Sequence, residues 1–307
     1  MTEELAVIFL ASTVRLAMPI LLAALGELVS ERAGVLNLSL EGIMLSAAFA
    51  AVVAAHATGS PVIGLVAALA TGALCGLFQA WLSVTVQADQ IVTGLGFNIL
   101  AFGLTTLFNR ELFGLRSALE VPGIEKVAVP LLVDIPLIGP ALFNQTWLVY
   151  LGLLSVPAMY WMLRNTSFGL AVEAAGTDPL AGDKTGVSIV ATRYRAVVIA
   201  GAFAGAGGAF ISIGDIHTFT EGMTNGIGFI ALAAVIFGNW RVWWVLGASL
   251  VFGFATAMQF QLPAMGVDAP VALLVMLPYV LALLAVAGVV GRQSAPPALT
   301  LPFRRMN

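Results

Sequence analysis

The sequence predicts an all-α polytopic membrane protein, and three observations carry that reading. Hydrophobic residues make up 60% of the 307-residue chain and charged residues only 9%, against roughly 25% charged in an ordinary soluble domain. A soluble core cannot hide so much apolar surface behind so few charges. The apolar residues fall into long runs between polar breaks, as spans that need about 20 residues to cross a bilayer must. The 32 glycines supply the small side chains that let membrane helices approach closely. The formal charge of −3 contains no basic block that could neutralise a row of phosphates, which speaks against nucleic acid as a partner. Cys75 is the single cysteine, too few thiols for a disulfide frame or a zinc site, and no metal site is expected.

The elements follow in order. Glu3 and Glu4 stand where a signal peptide would carry Lys or Arg, so the N-terminus reads as mature sequence. Nine apolar runs then read as helices: Leu5–Val29, Leu38–Ala55, Val62–Val86, Ile91–Phe108, Trp147–Leu163, Tyr194–Ile213, Gly226–Trp240, Trp243–Gln261 and Ala269–Val290. The seventh has only 15 residues, too few for a tilted span, and reads as a half-helix. With the N-terminus outside and the C-terminus cytoplasmic, the inner segments hold Arg32, Arg164, Lys184, Arg193, Arg195, Arg241, Arg292, Arg304 and Arg305. The outer segments hold only Arg110, Arg116 and Lys126, so this orientation obeys the positive-inside rule.

An internal repeat is expected. GVLNLSLEGIMLSAAFAA from Gly34 and GMTNGIGFIALAAVIFGN from Gly222 both place Gly-x-x-Asn before a small-residue helix. The quartet of helices one to four begins outside and the quartet of six to nine begins inside, a 4+1+4 arrangement with inverted halves. Inverted repeats belong to transporters, whose substrate path runs between broken helices at the repeat interface. Residues 1–307 thus form a single transmembrane domain. Its outer loop, 113–146, has Pro122, Pro130, Pro136 and Pro140 and reads as an irregular cap. The inner loop, 164–193, has surface-helix signals: Asp178 as N-cap, Pro179 at the first helical position and Gly186 to end the helix, giving Pro179–Thr185.

Ionisable groups inside the runs are sparse, which disfavours an ion-coupled carrier. Arg15 lies about 15 Å into the first run by helical rise; a lone arginine there usually pairs with a carbonyl or a neighbouring subunit. Asn37, Asn98, Asn225, Gln79, Thr93 and Gln259 are neutral donors and acceptors suited to an uncharged polar solute, and Phe97 and Phe229 adjoin two of them. Glu41 sits at a run end. No nucleotide-binding, triad or zinc-protease motif occurs, so no enzyme is expected and the energy source lies in another chain.

Three stretches together resemble a known family: Glu31–Leu45, Asp89–Thr105 and the EAAGTDPLAGDKTGV loop, Glu173–Val187. They are similar to permease subunits of bacterial ABC importers, in the branch serving ribose-type sugars, branched-chain amino acids and nucleosides. The nearest resemblance is to the nucleoside-type second permease that works with basic-membrane-protein lipoproteins. It implies a cytoplasmic ATPase that binds the ATP, a second and paralogous permease, an external binding protein or lipoprotein, and residence in the bacterial inner membrane. It implies no cofactor in this chain. Carried over by residue, Glu173, Ala174, Gly176, Asp178, Pro179, Ala181 and Gly186 match the element that docks in the ATPase. Relatives commonly carry a second Ala where this chain has Gly182, at a cost of roughly 1 kcal/mol of helix propensity. The pathway residues expected are Asn37, Glu41, Thr93, Phe97, Asn98, Asn225 and Phe229, and the solute a neutral nucleoside, with a simple sugar or a branched-chain amino acid as alternatives.

Overall fold

The computed structural model describes residues 3–114, 120–130, 132–136, 138–266, 270–286 and 295–303. Arg116, Arg292, Arg304 and Arg305, part of the basic-residue asymmetry, lie outside the described residues, as do both chain ends. The described chain is mostly helical. The first half holds α1 (Glu3–Arg32), α2 (Leu40–Thr58), α3 (Pro61–Ala80, continued by a π-helical turn, Trp81–Val86) and α4 (Gln90–Phe113). After α5 (Ile138–Leu142) come α6 (Trp147–Asn165), α7 (Ser167–Thr177) and α8 (Pro179–Lys184). The second half holds α9 (Ile189–Ala209, with a π-helical turn, Phe210–Ile216), α10 (Ile227–Phe237), α11 (Val242–Ala264) and α12 (Val271–Val286). Six helices among the described residues are long and apolar enough to cross a membrane, and α10 and α12 contain shorter apolar stretches.

Small residues set the packing. A Cβ on Gly72 of α3 would come within 2.2 Å of the Gly201 carbonyl of α9, and one on Gly201 within 2.2 Å of the Gly72 carbonyl. Glycine is therefore obligatory on both sides of that crossing. On α11, a Cβ at Gly253 would meet Ala17 Cβ of α1 at 2.6 Å. Close backbone approach replaces the hydrophobic drive that lipid removes. Helices α1 and α9 form the middle of the bundle, with Ala17, Leu21, Leu25, Ala196, Ala200 and Ala204 all buried. Helix α4 turns Ile99 and Val92 outward, 76% and 67% exposed, as a lipid-facing surface should.

The structure departs from the sequence expectation at three places. The first helix runs on past Val29 to Arg32, so Glu27, near the end of the expected run, and Glu31, beyond it, are both buried within the helix. The outer loop, expected to be irregular, contains regular structure: β1 (Lys126–Ala128) pairs antiparallel with β2 (Asn144–Thr146), and α5 precedes β2. Tyr150 explains the pairing, because its hydroxyl donates to the Val127 carbonyl at 2.8 Å and accepts from Gln145 N–H at 3.1 Å. The half-helix is also shorter than its apolar run, 11 residues in α10. It stops because Asn239 and Trp240 take left-handed conformations, with φ of 48° and 54°.

Candidate functional site

Helix α10 is gripped at both ends by acidic residues of the first half. The first N–H groups of a helix lack partners within the helix, and Glu41 on α2 supplies them. Its Oε1 accepts from Gly226 N–H at 2.8 Å and from the Thr224 hydroxyl at 2.6 Å, and its Oε2 accepts from Gly228 N–H at 2.7 Å. A carboxylate is well placed there, against the positive end of the helix dipole. Gly228 also leaves the room: a Cβ on it would lie 2.5 Å from the Glu41 backbone nitrogen. Just past the other end of α10, Trp240 Nε1 donates to Glu31 on α1.

The start of α2 is held in the same manner. Asn98 on α4 accepts the Gly42 N–H at 2.8 Å and donates to the Leu38 carbonyl at 2.9 Å. Gln90 accepts from Leu36 N–H at 2.8 Å, and Glu27 from Asn37 N–H at 2.8 Å. The Asn37 side chain is buried and accepts from the Ser39 N–H and hydroxyl. Thr93 donates to the Asp89 carbonyl at 2.9 Å and receives Gln79 Nε2 at 3.2 Å. Phe97 stacks loosely on Phe78, with centroids 6.3 Å apart. Residues 33–39 and 217–226 thus feed two helix starts that meet, with Glu41 between them.

Beside that meeting point lies a cavity of about 400 Å³, within the size range of small-molecule sites. Its walls come from α1, the π-helical turn after α9, the start of α10, α11 and α12. Arg15 Nε and Asp215 Oδ1 pair at 3.3 Å in its wall, so the two charges offset one another. Asn225, Thr256 and Gln259 add neutral polar groups, and Phe210, Phe260 and Tyr279 add aromatic ones. Tyr279 is fixed by its hydroxyl, which donates to the Asn225 carbonyl at 2.9 Å.

Of the seven pathway residues expected, Asn225 lines this cavity. Asn37, Glu41 and Asn98 are engaged with the two helix starts, while Phe229 on α10 is 40% exposed. Asp215 went unnoticed in the sequence because it lies just past the sixth apolar run. Its signal would have been Arg15, a base inside an apolar run in want of an acid, but nothing local connects positions so far apart.

The second candidate element is the α7–α8 unit. Asp178 caps α8, accepting from Ala181 N–H at 3.0 Å, and Gly186 is left-handed at φ 90°. Glu173 and Ala181 are exposed and Pro179 is half-buried, while Gly176 is buried. A Cβ on Gly176 would sit 2.0 Å from the Arg32 carbonyl at the end of α1. Arg193 of α9 locks the unit in place. It donates to the Ala33 carbonyl at 3.1 Å, the Ala175 carbonyl at 3.3 Å and the Leu301 carbonyl at 2.9 Å. The segment 295–303 closes over the same place, with Ala298 N–H donating to Gly176 and Thr300 N–H to Gly34.

Residues 9–286 match the family described as branched-chain amino acid transport system / permease component. The chain belongs to that family. The guanosine ABC transporter permease protein NupQ of Bacillus subtilis is 36% identical over 306 residues, covering 96% of each chain. The putative glucose ABC transporter permease protein TsgC13 of Haloferax volcanii is 38% identical over 256 residues, 82% of this chain and 77% of that one. The nucleoside ABC transporter permease protein NupC of Lactococcus lactis is 32% identical over 304 residues, 95% of each. The same Bacillus strain holds a more distant match, the guanosine ABC transporter permease protein NupP, 23% identical over 87% of this chain and 80% of that one. No solved structure matches the chain. The chain is a multi-pass ABC permease subunit of the inner membrane, and it is not an enzyme.

Proposed function

We propose that the chain is one half of the membrane unit of an ATP-driven bacterial importer for a neutral nucleoside. The end-to-end likeness to NupQ, a guanosine permease, is the observation that carries the substrate. The cavity chemistry agrees with it. An Arg15–Asp215 pair that cancels its own charge disfavours an ionic solute, amide side chains suit hydroxyls and a base edge, and aromatic rings suit a planar base. The solute passes Asn225 and Phe229, while Asn37, Glu41 and Asn98 hold the two helix starts that border its path, and Thr93 and Phe97 belong to the α4 wall beside them.

The nine helical runs cross the membrane with the N-terminus outside and the C-terminus cytoplasmic, the seventh as a half-helix. Support for the inverted repeat comes from exchanged packing: α3 lies on α9 as α11 lies on α1, and α2 lies on α4 as α10 lies on α12. The coupling element is α7–α8: Glu173, Asp178, Ala181 and Gly186 are exposed for a cytoplasmic ATPase pair that binds the ATP, Ala174 and Pro179 are half-buried beside them, and buried Gly176 seats the unit against the end of α1. A second, paralogous permease completes the bundle, as NupP and NupQ coexist in one strain, and an external binding protein delivers the solute. ATP-driven closure of the ATPases moves α8, and the bundle rocks to open the path on alternate sides.

A second reading, a sugar such as glucose, is favoured by the likeness to TsgC13. Competition during ATP-driven uptake separates the two. Excess adenosine, guanosine, uridine or cytidine reduces transport on the nucleoside reading; if all fail while a hexose or branched-chain amino acid succeeds, that reading is wrong. Orientation is tested with a single cysteine at Asp183 in a Cys75→Ser background. Labelling by an impermeant reagent from outside intact cells contradicts a cytoplasmic α8.

A further inference from the structure

A second, larger cavity of about 1100 Å³ opens on the face of the bundle that carries α7 and α8. Arg32 from the end of α1, Arg164 from the end of α6 and Arg241 from the turn before α11 all line it, with Glu173 the one acidic residue in its wall. Among the described residues, no carboxylate lies within ion-pair distance of any of the three guanidinium groups. Three positive charges against one negative, from three separate elements, make an anion site. The transport path described above does not use it.

The rim identifies the anion. Trp243 and Trp244 stand at the mouth, 52% and 64% exposed, and Leu170 beside them is 70% exposed. Tyr160 packs against Trp243 with ring centroids 6.1 Å apart, and the Arg164 guanidinium lies 6.0 Å above the Tyr160 ring. Tryptophan and tyrosine collect at the membrane–water boundary, where a ring can rest among headgroups. Exposed Leu and Trp next to a basic pocket are wasted on a free inorganic anion. They suit a ligand that carries hydrocarbon below its negative charge.

We propose that this cavity binds an anionic phospholipid, its phosphodiester held by Arg32, Arg164 and Arg241 and its acyl chains lying against Leu170 and Trp244. Basic pockets between membrane helices recognise such headgroups by charge and hydrogen bonding, with guanidinium forks matched to phosphate oxygens. The bound lipid bridges the ends of α1 and α6 to the turn before α11, next to the α7–α8 unit. This inference rests on the chain being a membrane permease and is independent of the solute it carries.

The test is native mass spectrometry of the full chain in detergent with equal phosphatidylglycerol and phosphatidylcholine. The expected result is at least a tenfold preference for phosphatidylglycerol, lost in Arg164→Gln/Arg241→Gln and retained in Arg195→Gln, whose charge lies outside the cavity. Glycerophosphoglycerol and inorganic phosphate, offered at the same concentration, should not displace the lipid. If the double variant fails to fold, salt decides on the wild type: the preference should fall as ionic strength rises. Equal binding of the two lipids, a preference unchanged in the double variant, no salt dependence, or full displacement by inorganic phosphate would each overturn the proposal. Loss of the lipid when a purified cognate ATPase is added would overturn it too, since the cavity would then be a protein-docking surface.

Discussion

Glu41 on α2 accepts the backbone N–H of Gly228 on α10 at 2.7 Å, and so ties the opening turn of one helix to the opening turn of another 187 positions away in sequence. The same carboxylate takes Gly226 N–H. Glu41→Ala should therefore strand two helix-start N–H donors and the Thr224 hydroxyl. Hydrogen bonds to a charged group are worth about 1.5–3 kcal/mol each. Thermal unfolding of the detergent-purified permease should drop clearly for Glu41→Ala and by less for Glu41→Gln, which keeps one acceptor oxygen. Equal stability of all three proteins would contradict the capping role.

Arg193 is expected to matter as much to coupling as to folding. Three carbonyls from α1's end, α7 and segment 295–303 converge on its guanidinium, and the fork cannot be replaced by a single ammonium. Arg193→Lys should keep the protein in the membrane yet loosen α7–α8. Limited proteolysis in the 164–193 loop should accelerate several-fold in inverted vesicles, where wild type resists.

Gly182 offers a test that separates helix propensity from packing. A Cβ there would lie 3.0 Å from Ile189 Cδ1 and 3.3 Å from Ala174 Cβ, tight contacts against side-chain atoms, one of them mobile. Gly182→Ala should gain roughly 1 kcal/mol of helix propensity, less the small shift of Ile189, and retain transport. Asp178→Ala with Gly182→Pro should uncouple ATPase from transport. It removes the α8 cap and the Gly182 N–H bond to the Asp178 carbonyl, while the membrane helices stay folded. Pull-down of the ATPase reads the result, and undiminished association and uptake would refute a docking role for α8.

The Arg110–Glu221 pair joins the end of α4 to the segment before α10, with contacts of 2.8 and 3.0 Å. The hydrogen bond from Arg110 holds the Glu221 carboxyl below its ordinary range, opposed in part by desolvation. A depressed carboxylate pKa contributes stability above the unfolded-state value and loses it as pH falls through the folded one. The link should thus persist from neutral pH to below the usual carboxylate range of about 4.3 and open in stronger acid. The distance between spin labels on cysteines placed at Glu111 and Thr220 in a Cys75→Ser background should follow that pH course while the Arg110–Glu221 pair is present and show none of it in Glu221→Gln.

What the sequence disclosed and what it hid divide along a physical line. Apolar runs, the Asp178 cap, Pro179 and left-handed Gly186 are local signals; they located α8 to within one residue, while the helices of the apolar runs depart from them by up to five residues, as at the start of α9 and the end of α4. The short α10 was legible from the length of its run. The acid clamps were not, because Glu31 to Trp240 and Glu41 to Gly228 are tertiary contacts with no local trace. For the same reason Arg15 stood without Asp215 until the chain was folded. The β1–β2 pair escaped because three-residue strands carry no periodicity, and their pairing depends on Tyr150 from a later helix.

The central claim is that solute passes through the cavity walled by α1, α10, α11 and α12. Thr256→Cys in a Cys75→Ser background places one thiol on that wall, and Ile99→Cys places one on the lipid-facing surface as a control. In proteoliposomes carrying the whole transporter, a methanethiosulfonate reagent should abolish ATP-driven nucleoside uptake through Thr256→Cys and leave Ile99→Cys active, and excess nucleoside should slow the reaction at Thr256→Cys. Complete modification of Thr256→Cys with uptake unchanged would contradict the account.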